Sequence, residues 1–167
     1  RKDISILYKS FNFIKHGRHS LSGRYFFELK IVSSLPNYDV VHAQFGPSGV
    51  IIDNTFSDLK ITTPYITHFR GYDITKTIRF RGLKFYKNLF KRGDYFIANC
   101  IYFKNKLIKL GLEENKCEVV YSGVDEKIFT KKKEYLKSLN LDLFKVVTVG
   151  RLTGKKGIGY CIKAIDE

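Results

Sequence analysis

Residues 39–74 read DVVHAQFGPSGVIIDNTFSDLKITTPYITHFRGYDI, and the order of features within them decides the fold. Asp39 to Phe45 is a short apolar run that reads as a buried strand ending at Gly46 and Pro47. Proline suits the first turn of a helix, so Pro47 to Leu59 is expected to be helical, with Val50, Ile51 and Phe56 on its packed side. Pro64 to Phe69 makes a second strand, closing on Arg70, Gly71, Tyr72 and Asp73. Strand, helix and strand in this order form a parallel βαβ unit, and functional loops gather at the carboxyl ends of its strands. That rule sets Gln44, Phe45, Gly46, His68, Arg70, Gly71 and Asp73 along one edge. His42, mid-strand among valines, reads as a core histidine rather than a reacting group. Gly71 and Asp73 also suit an ordinary turn.

The pattern continues on both sides. Gly23 to Leu35 has helical periodicity and ends before Pro36. Asp94 to Cys100 is a further strand, Ile101 to Leu110 a helix stopped by Gly111, and Lys116 to Tyr121 a strand that leaves through Ser122, Gly123, Val124 and Asp125. Between them, Lys76 to Arg92 carries seven cations and no acid. On a helical wheel Ile78, Phe85, Tyr86 and Leu89 share one face, while Arg81, Lys84, Lys87 and Lys91 share the other. Such a helix suits an anionic membrane surface, or simply a wet face above a packed one.

A second stretch, Lys145 to Ile165, reads KVVTVGRLTGKKGIGYCIKAI. Val146, Val147 and Val149 suggest a buried strand that stops at Gly150, and Ile158, Cys161, Ile162 and Ile165 recur at helical spacing. The turn between them holds Arg151, Lys155 and Lys156. Free N–H groups at a helix start, a planar guanidinium and a flexible ammonium together suit a diphosphate. A solvated basic turn is the plain alternative. The spacing is neither a P-loop nor a GxGxxG fingerprint.

Composition sets outer bounds. The chain has 167 residues, 44% of them hydrophobic, and a formal net charge of +14. That content fills a core, so global disorder is not expected. The charge implies an acidic partner: phosphorylated substrates, an anionic membrane surface or nucleic acid. Cys100, Cys117 and Cys161 are odd in number and far apart, favouring neither a disulfide framework nor a zinc site, and a reducing cytoplasm fits them best. The four histidines, His16, His19, His42 and His68, lack metal-ligand spacing. No apolar run approaches the roughly 20 residues needed to span a bilayer.

The stretch VGRLTGKKG resembles the start of the second domain of the retaining glycosyltransferases of family four, which have the GT-B fold. There an Arg after the Gly and a Lys five positions later hold the donor's diphosphate, and Arg151 and Lys156 stand at that spacing. HAQFGPSG is similar to the family's HxHFGxxG stretch and HFRGYDI to its FHGxD stretch, both lining the acceptor side of the cleft. SGVD, with a downstream Phe129, resembles the NGVD-like passage between domains, with Ser122 in place of Asn. Many members have His where this chain has Gln44, and His directly before the Gly where it has Arg70.

The resemblance implies an α/β protein. Residues 1–122 would be an incomplete, acceptor-side Rossmann-like domain, 123–143 a linker, and 144–167 the first strand and helix of a truncated donor-binding domain. It implies retaining transfer of a sugar from a nucleotide-diphosphate donor to a glycan or lipid-linked hydroxyl acceptor, in bacterial surface polysaccharide or lipopolysaccharide synthesis. Arg151 and Lys156 would bind the diphosphate, and His68, Arg70 and Asp73 are the catalytic candidates. Gln44, Gly46 and Gly71 would line the cleft, with Arg81, Lys84, Lys87 and Lys91 on a peripheral membrane face. Neither a metal nor another cofactor is implied. The chain begins with Arg1 and stops before any counterpart of the pair of glutamates, with seven residues between them, by which the family's second domain contacts donor sugar and ribose, so it is expected to be a fragment with little activity of its own. The alternative is a non-catalytic basic module that docks on anionic membrane or nucleic acid.

Overall fold

The computed structural model describes residues 2–12, 17–130 and 146–166. The chain divides into two compact units, Arg1–Gly123 and Val124–Glu167. Among the described residues the first unit opens with helices α1 (Lys2–Ser10), α2 (Arg18–Leu21) and α3 (Arg24–Ser34). Strand β1 (Val41–Ala43), helix α4 (Gly46–Leu59) and strand β2 (Tyr65–Phe69) follow. After a π-helical turn over Asp73–Thr77 come α5 (Ile78–Arg81), a 3₁₀ turn over Leu83–Tyr86 and α6 (Lys87–Arg92). The unit continues through β3 (Tyr95–Ala98), α7 (Ile101–Lys109) and β4 (Cys117–Val119). The four strands are parallel and stand in the order β1-β2-β3-β4. This is an α/β sheet of Rossmann-like type.

Strand order explains the burial. Right-handed crossovers that always step in the same direction place their helices on one face of the sheet. Ala43, Tyr65, Thr67, Phe69, Phe96, Ala98 and Cys117 point to that face and are buried. Phe69, Tyr86, Phe90 and Phe96 form its aromatic centre, with the Phe69 and Tyr86 rings edge-to-face at 5.0 Å. Arg92 on α6 donates through Nε to Asp53 Oδ1 on α4 at 2.7 Å, and the Tyr65 hydroxyl donates to the same oxygen at 2.9 Å. One buried carboxylate thus joins both helices to β2.

The opposite face carries His42, Ile66, His68, Tyr95, Ile97 and Glu118. His42 is therefore exposed rather than a core residue. It lies on an edge strand, on the face that receives no crossover helix. The 76–92 segment is not one continuous helix either. Gly82, at φ 86°, breaks it into α5 and the turn before α6, a conformation that glycine adopts without a Cβ clash. Arg81, Lys84, Lys87 and Lys91 are all exposed across this break.

In the second unit, a 3₁₀ turn (Gly154–Lys156) leads through Gly157, at φ 67°, into α8 (Ile158–Asp166), the helix expected from the sequence. Residues 146–149 carry no strand, and Val146, Val147 and Val149 are exposed. A strand exists by pairing, and this unit has no other strand among the described residues. Most of the expected linker, residues 131–143, lies outside the described residues.

Helix α4 reaches the sheet closely because Gly49 has no side chain: a Cβ there would meet Thr67 Oγ1 at 2.5 Å and Cγ2 at 2.6 Å. Alanine improves helix propensity by about 1 kcal/mol. Thr67 Cβ, at 3.1 Å from the same point, leaves no rotamer that clears the clash. Gly49→Ala is expected to lower stability by about 1–3 kcal/mol in urea unfolding.

Candidate functional site

Because β1 and β2 are parallel neighbours, the loops that leave them lie side by side. Gln44 follows β1 by one residue and Arg70 follows β2 by one. Arg70 Nη2 donates to Gln44 Oε1 at 3.0 Å, and its guanidinium carbon lies 5.0 Å from the centroid of the Phe45 ring. The Gln44 amide nitrogen is 3.3 Å from His42 Nδ1, a contact in which the amide is the donor. The His42 and His68 rings are nearly parallel, 9° apart, with centroids separated by 6.0 Å. Arg70, Gln44, His42 and His68 thus form a continuous polar row along the carboxyl edge of the sheet. Its exposed side offers guanidinium and amide donors.

Beneath this row lies Asp73, which is 1% exposed. Its Oδ2 accepts the backbone N–H of Gly46 at 3.2 Å and of Arg70 at 3.0 Å, and its own carbonyl accepts the Tyr86 hydroxyl at 3.1 Å. Burial pushes this carboxyl above the usual range; the N–H groups of Arg70 and Gly46, with the charges of Arg70 and His68, work against that rise. Gly46 is confined as well: a Cβ there would come within 2.5 Å of Phe69 and 2.8 Å of the Tyr86 hydroxyl. At Gly71 a Cβ would lie 3.0 Å from Phe103. Both glycines of the expected cleft are closely packed positions.

His68 stands on the open face, with Nε2 buried and without a hydrogen-bond partner. Burial lowers its pKa, Arg70 and His42 lower it further, and Asp73 opposes them. The ring is therefore neutral at pH 7, able to accept a proton or a hydrogen bond. Sequence reasoning assigned Gln44, Arg70, His68 and Asp73 to one edge. It missed Tyr86 as the partner of Asp73, because a contact between residues 13 positions apart leaves no local pattern.

In the second unit, Arg151 and Lys156 are both exposed in the turn before α8. The stem of Lys156 folds back toward Gly150, its Cδ 3.9 Å from where a Gly150 Cβ would be. An open hollow of about 460 Å³ lies beside the turn, lined by residues including Thr153, Gly157, Tyr160 and Lys163. Neither Arg151 nor Lys156 lines it. Among the described residues no group of His, Cys, Asp and Glu could hold a metal ion, and no helix is long and apolar enough to cross a membrane.

Residues 4–127 match the description of Glycosyltransferase Family 4. The chain belongs to that family. It is 31% identical over 130 residues to a protein of Escherichia coli (strain K12) named as the colanic acid biosynthesis glycosyltransferase WcaL, covering 77% of this chain and 31% of the relative. It is 29% identical over 128 residues to the amylovoran biosynthesis glycosyltransferase AmsK of Erwinia amylovora, covering 75% of this chain and 30% of the relative. The chain thus spans about a third of the length of these relatives. No solved structure matches it. Gln44 and Arg70, which lie within the matched residues, are hydrogen-bonded to each other.

Two outcomes follow from this geometry. Asp73→Ala strands two backbone donors and is expected to cost about 2–4 kcal/mol in urea unfolding, whereas Asp73→Asn, which keeps an acceptor, costs less. The folded-state pKa of His68 is depressed, so its contribution to stability is present above the unfolded value near 6.5 and is lost as pH falls through the folded value. His68→Phe should therefore lose less stability than the unsubstituted protein between about pH 7.5 and 5.5.

Proposed function

We propose that the protein transfers a sugar from a nucleotide-diphosphate donor to a hydroxyl acceptor with retention, within a two-domain GT-B arrangement. Its setting on this reading is the cytoplasmic synthesis of a bacterial surface polysaccharide or lipopolysaccharide. The reading rests on the Arg70–Gln44 pair and neutral His68 at the carboxyl edge of a parallel sheet, in a chain of Glycosyltransferase Family 4. Relatives named for colanic acid and amylovoran biosynthesis support the polysaccharide setting.

In the proposed reaction the bond between the anomeric carbon and the diphosphate oxygen breaks while the acceptor oxygen bonds to that carbon from the same face. The acceptor's proton is released, and negative charge gathers on the departing nucleoside diphosphate. Arg151 and Lys156 supply countercharge that acts more strongly on this leaving group in the transition state than on the bound donor. Arg70 and Gln44 donate hydrogen bonds to sugar hydroxyls, and neutral His68 accepts one. Asp73 acts through the loops it joins. The 167 residues alone would turn over little donor on this reading.

The test is made on the complete encoded protein with a panel of nucleotide-diphosphate sugars, following product by NMR. Retention predicts the same anomeric configuration in donor and product. Arg151→Ala with Lys156→Ala is expected to lower kcat/KM by roughly a hundredfold or more while the urea midpoint stays unchanged. Inverted product would overturn the retaining assignment, and an unchanged rate would remove the role given to the two cations.

A further inference from the structure

Among the described residues, three buried side-chain atoms have no hydrogen-bond partner: Thr67 Oγ1, His68 Nε2 and Asn99 Oδ1. Thr67 is sealed beneath α4, where a Cβ on Gly49 would meet its Oγ1 at 2.5 Å. The other two stand at the carboxyl edge of the sheet. In the register of β2 and β3, His68 pairs with Ile97 and Phe69 with Ala98, so Arg70 and Asn99 leave the two strands side by side. The Val120 N–H donates to the Ala98 carbonyl at 3.0 Å, which keeps the sheet paired up to Asn99. Alternation along β3 sets Asn99 on the open face with Ile97, and so with His68. The helix that follows is pressed against the same loop: a Cβ on Gly71 would lie 3.0 Å from Phe103 of α7.

A buried oxygen without a donor costs about 1–3 kcal/mol. Asn99 as a whole is only partly buried, so its amide can turn toward the open face, and no hydrogen bond to Oδ1 holds it back. Meeting an outside donor gains a bond and breaks none at that oxygen. The chemistry of the edge selects the donor. Arg70 and Gln44 beside it present N–H groups, whereas the amide oxygen of Asn99 only accepts. A sugar hydroxyl can donate to Asn99 Oδ1 and accept from Arg70 at once. A fully ionised phosphate has no proton to give that oxygen. The edge therefore suits a ring that carries several hydroxyls.

We infer that Asn99 is a further sugar-binding residue of this cleft, its Oδ1 accepting a hydrogen bond from one hydroxyl of a sugar ring while a second hydroxyl bonds His68 Nε2. The choice of a sugar rests on the transferase reading, whereas the unpartnered oxygen is a property of the fold. An acceptor that awaits a ligand differs from a structural asparagine in one measurable way. Asn99→Leu, of similar size, removes the oxygen without stranding a donor of the protein, so the urea midpoint should stay level or rise while sugar binding falls.

The test is saturation-transfer NMR of the complete encoded protein with the methyl glycosides of glucose, galactose, mannose and fucose, each titrated for its Kd. At least one should bind, with its Kd raised about tenfold or more by Asn99→Leu. Asn99→Asp, which keeps an acceptor oxygen, should raise it much less. Among the monodeoxy analogues of that glycoside, the one lacking the contacted hydroxyl should lose affinity for the unsubstituted protein, and Asn99→Leu should then weaken it little further. A panel in which no glycoside binds, a Kd that Asn99→Leu leaves unchanged, or a lowered urea midpoint for that variant would each overturn the assignment. Glycoside binding that depends on Asn99 in a protein that transfers no sugar would support the contact and contradict the transferase reading alone.

Discussion

One carboxylate oxygen, Oδ2 of Asp73, accepts backbone N–H groups from the loops that leave both β1 and β2. Parallel strands are not joined by a hairpin, so nothing local fixes the relative positions of their carboxyl-end loops. Asp73 provides that connection across 27 residues of chain. Its cost is the burial of an acid, offset by two charge-assisted hydrogen bonds and the nearby Arg70. Above it, Gln44 and Arg70 come within hydrogen-bond reach because the backbones that carry them are already held together.

The other parts of the first unit support the same edge. Gly46 and Gly49 let α4 sit tightly on β2, so the start of this helix arrives beside the Arg70 loop. Asp53 fastens α4 to α6 and β2, and the Tyr86 hydroxyl reaches the carbonyl of Asp73 from the segment before α6. Rigidity at the edge is thus inherited from packed elements, the usual way an α/β protein positions a site on loops.

Much of this was legible in the sequence where the signal is local. The β-branched run before Phe69 and the proline after Gly46 marked β2 and α4, and their alternation implied a parallel sheet. Misreadings occurred where the deciding interaction is distant or absent. The valines of 146–149 look like a buried strand, yet no described strand in their unit pairs with them. A wheel drawn over 76–92 ignores the positive φ of Gly82. His42 lies among valines, but an edge strand and an uncovered face leave it in water. Asp73 could be placed at the edge, whereas its two backbone partners could not be read from spacing.

Family membership and this geometry meet at Arg70, an exposed residue whose side chain supports no core packing. The most direct measurement is sugar transfer by the complete encoded protein carrying Arg70→Met, with its urea midpoint determined alongside. A cleft built on the Gln44–Arg70 pair predicts a marked loss of transfer at an unchanged midpoint. Transfer equal to that of the unsubstituted protein would contradict it and move the site away from this edge of the sheet.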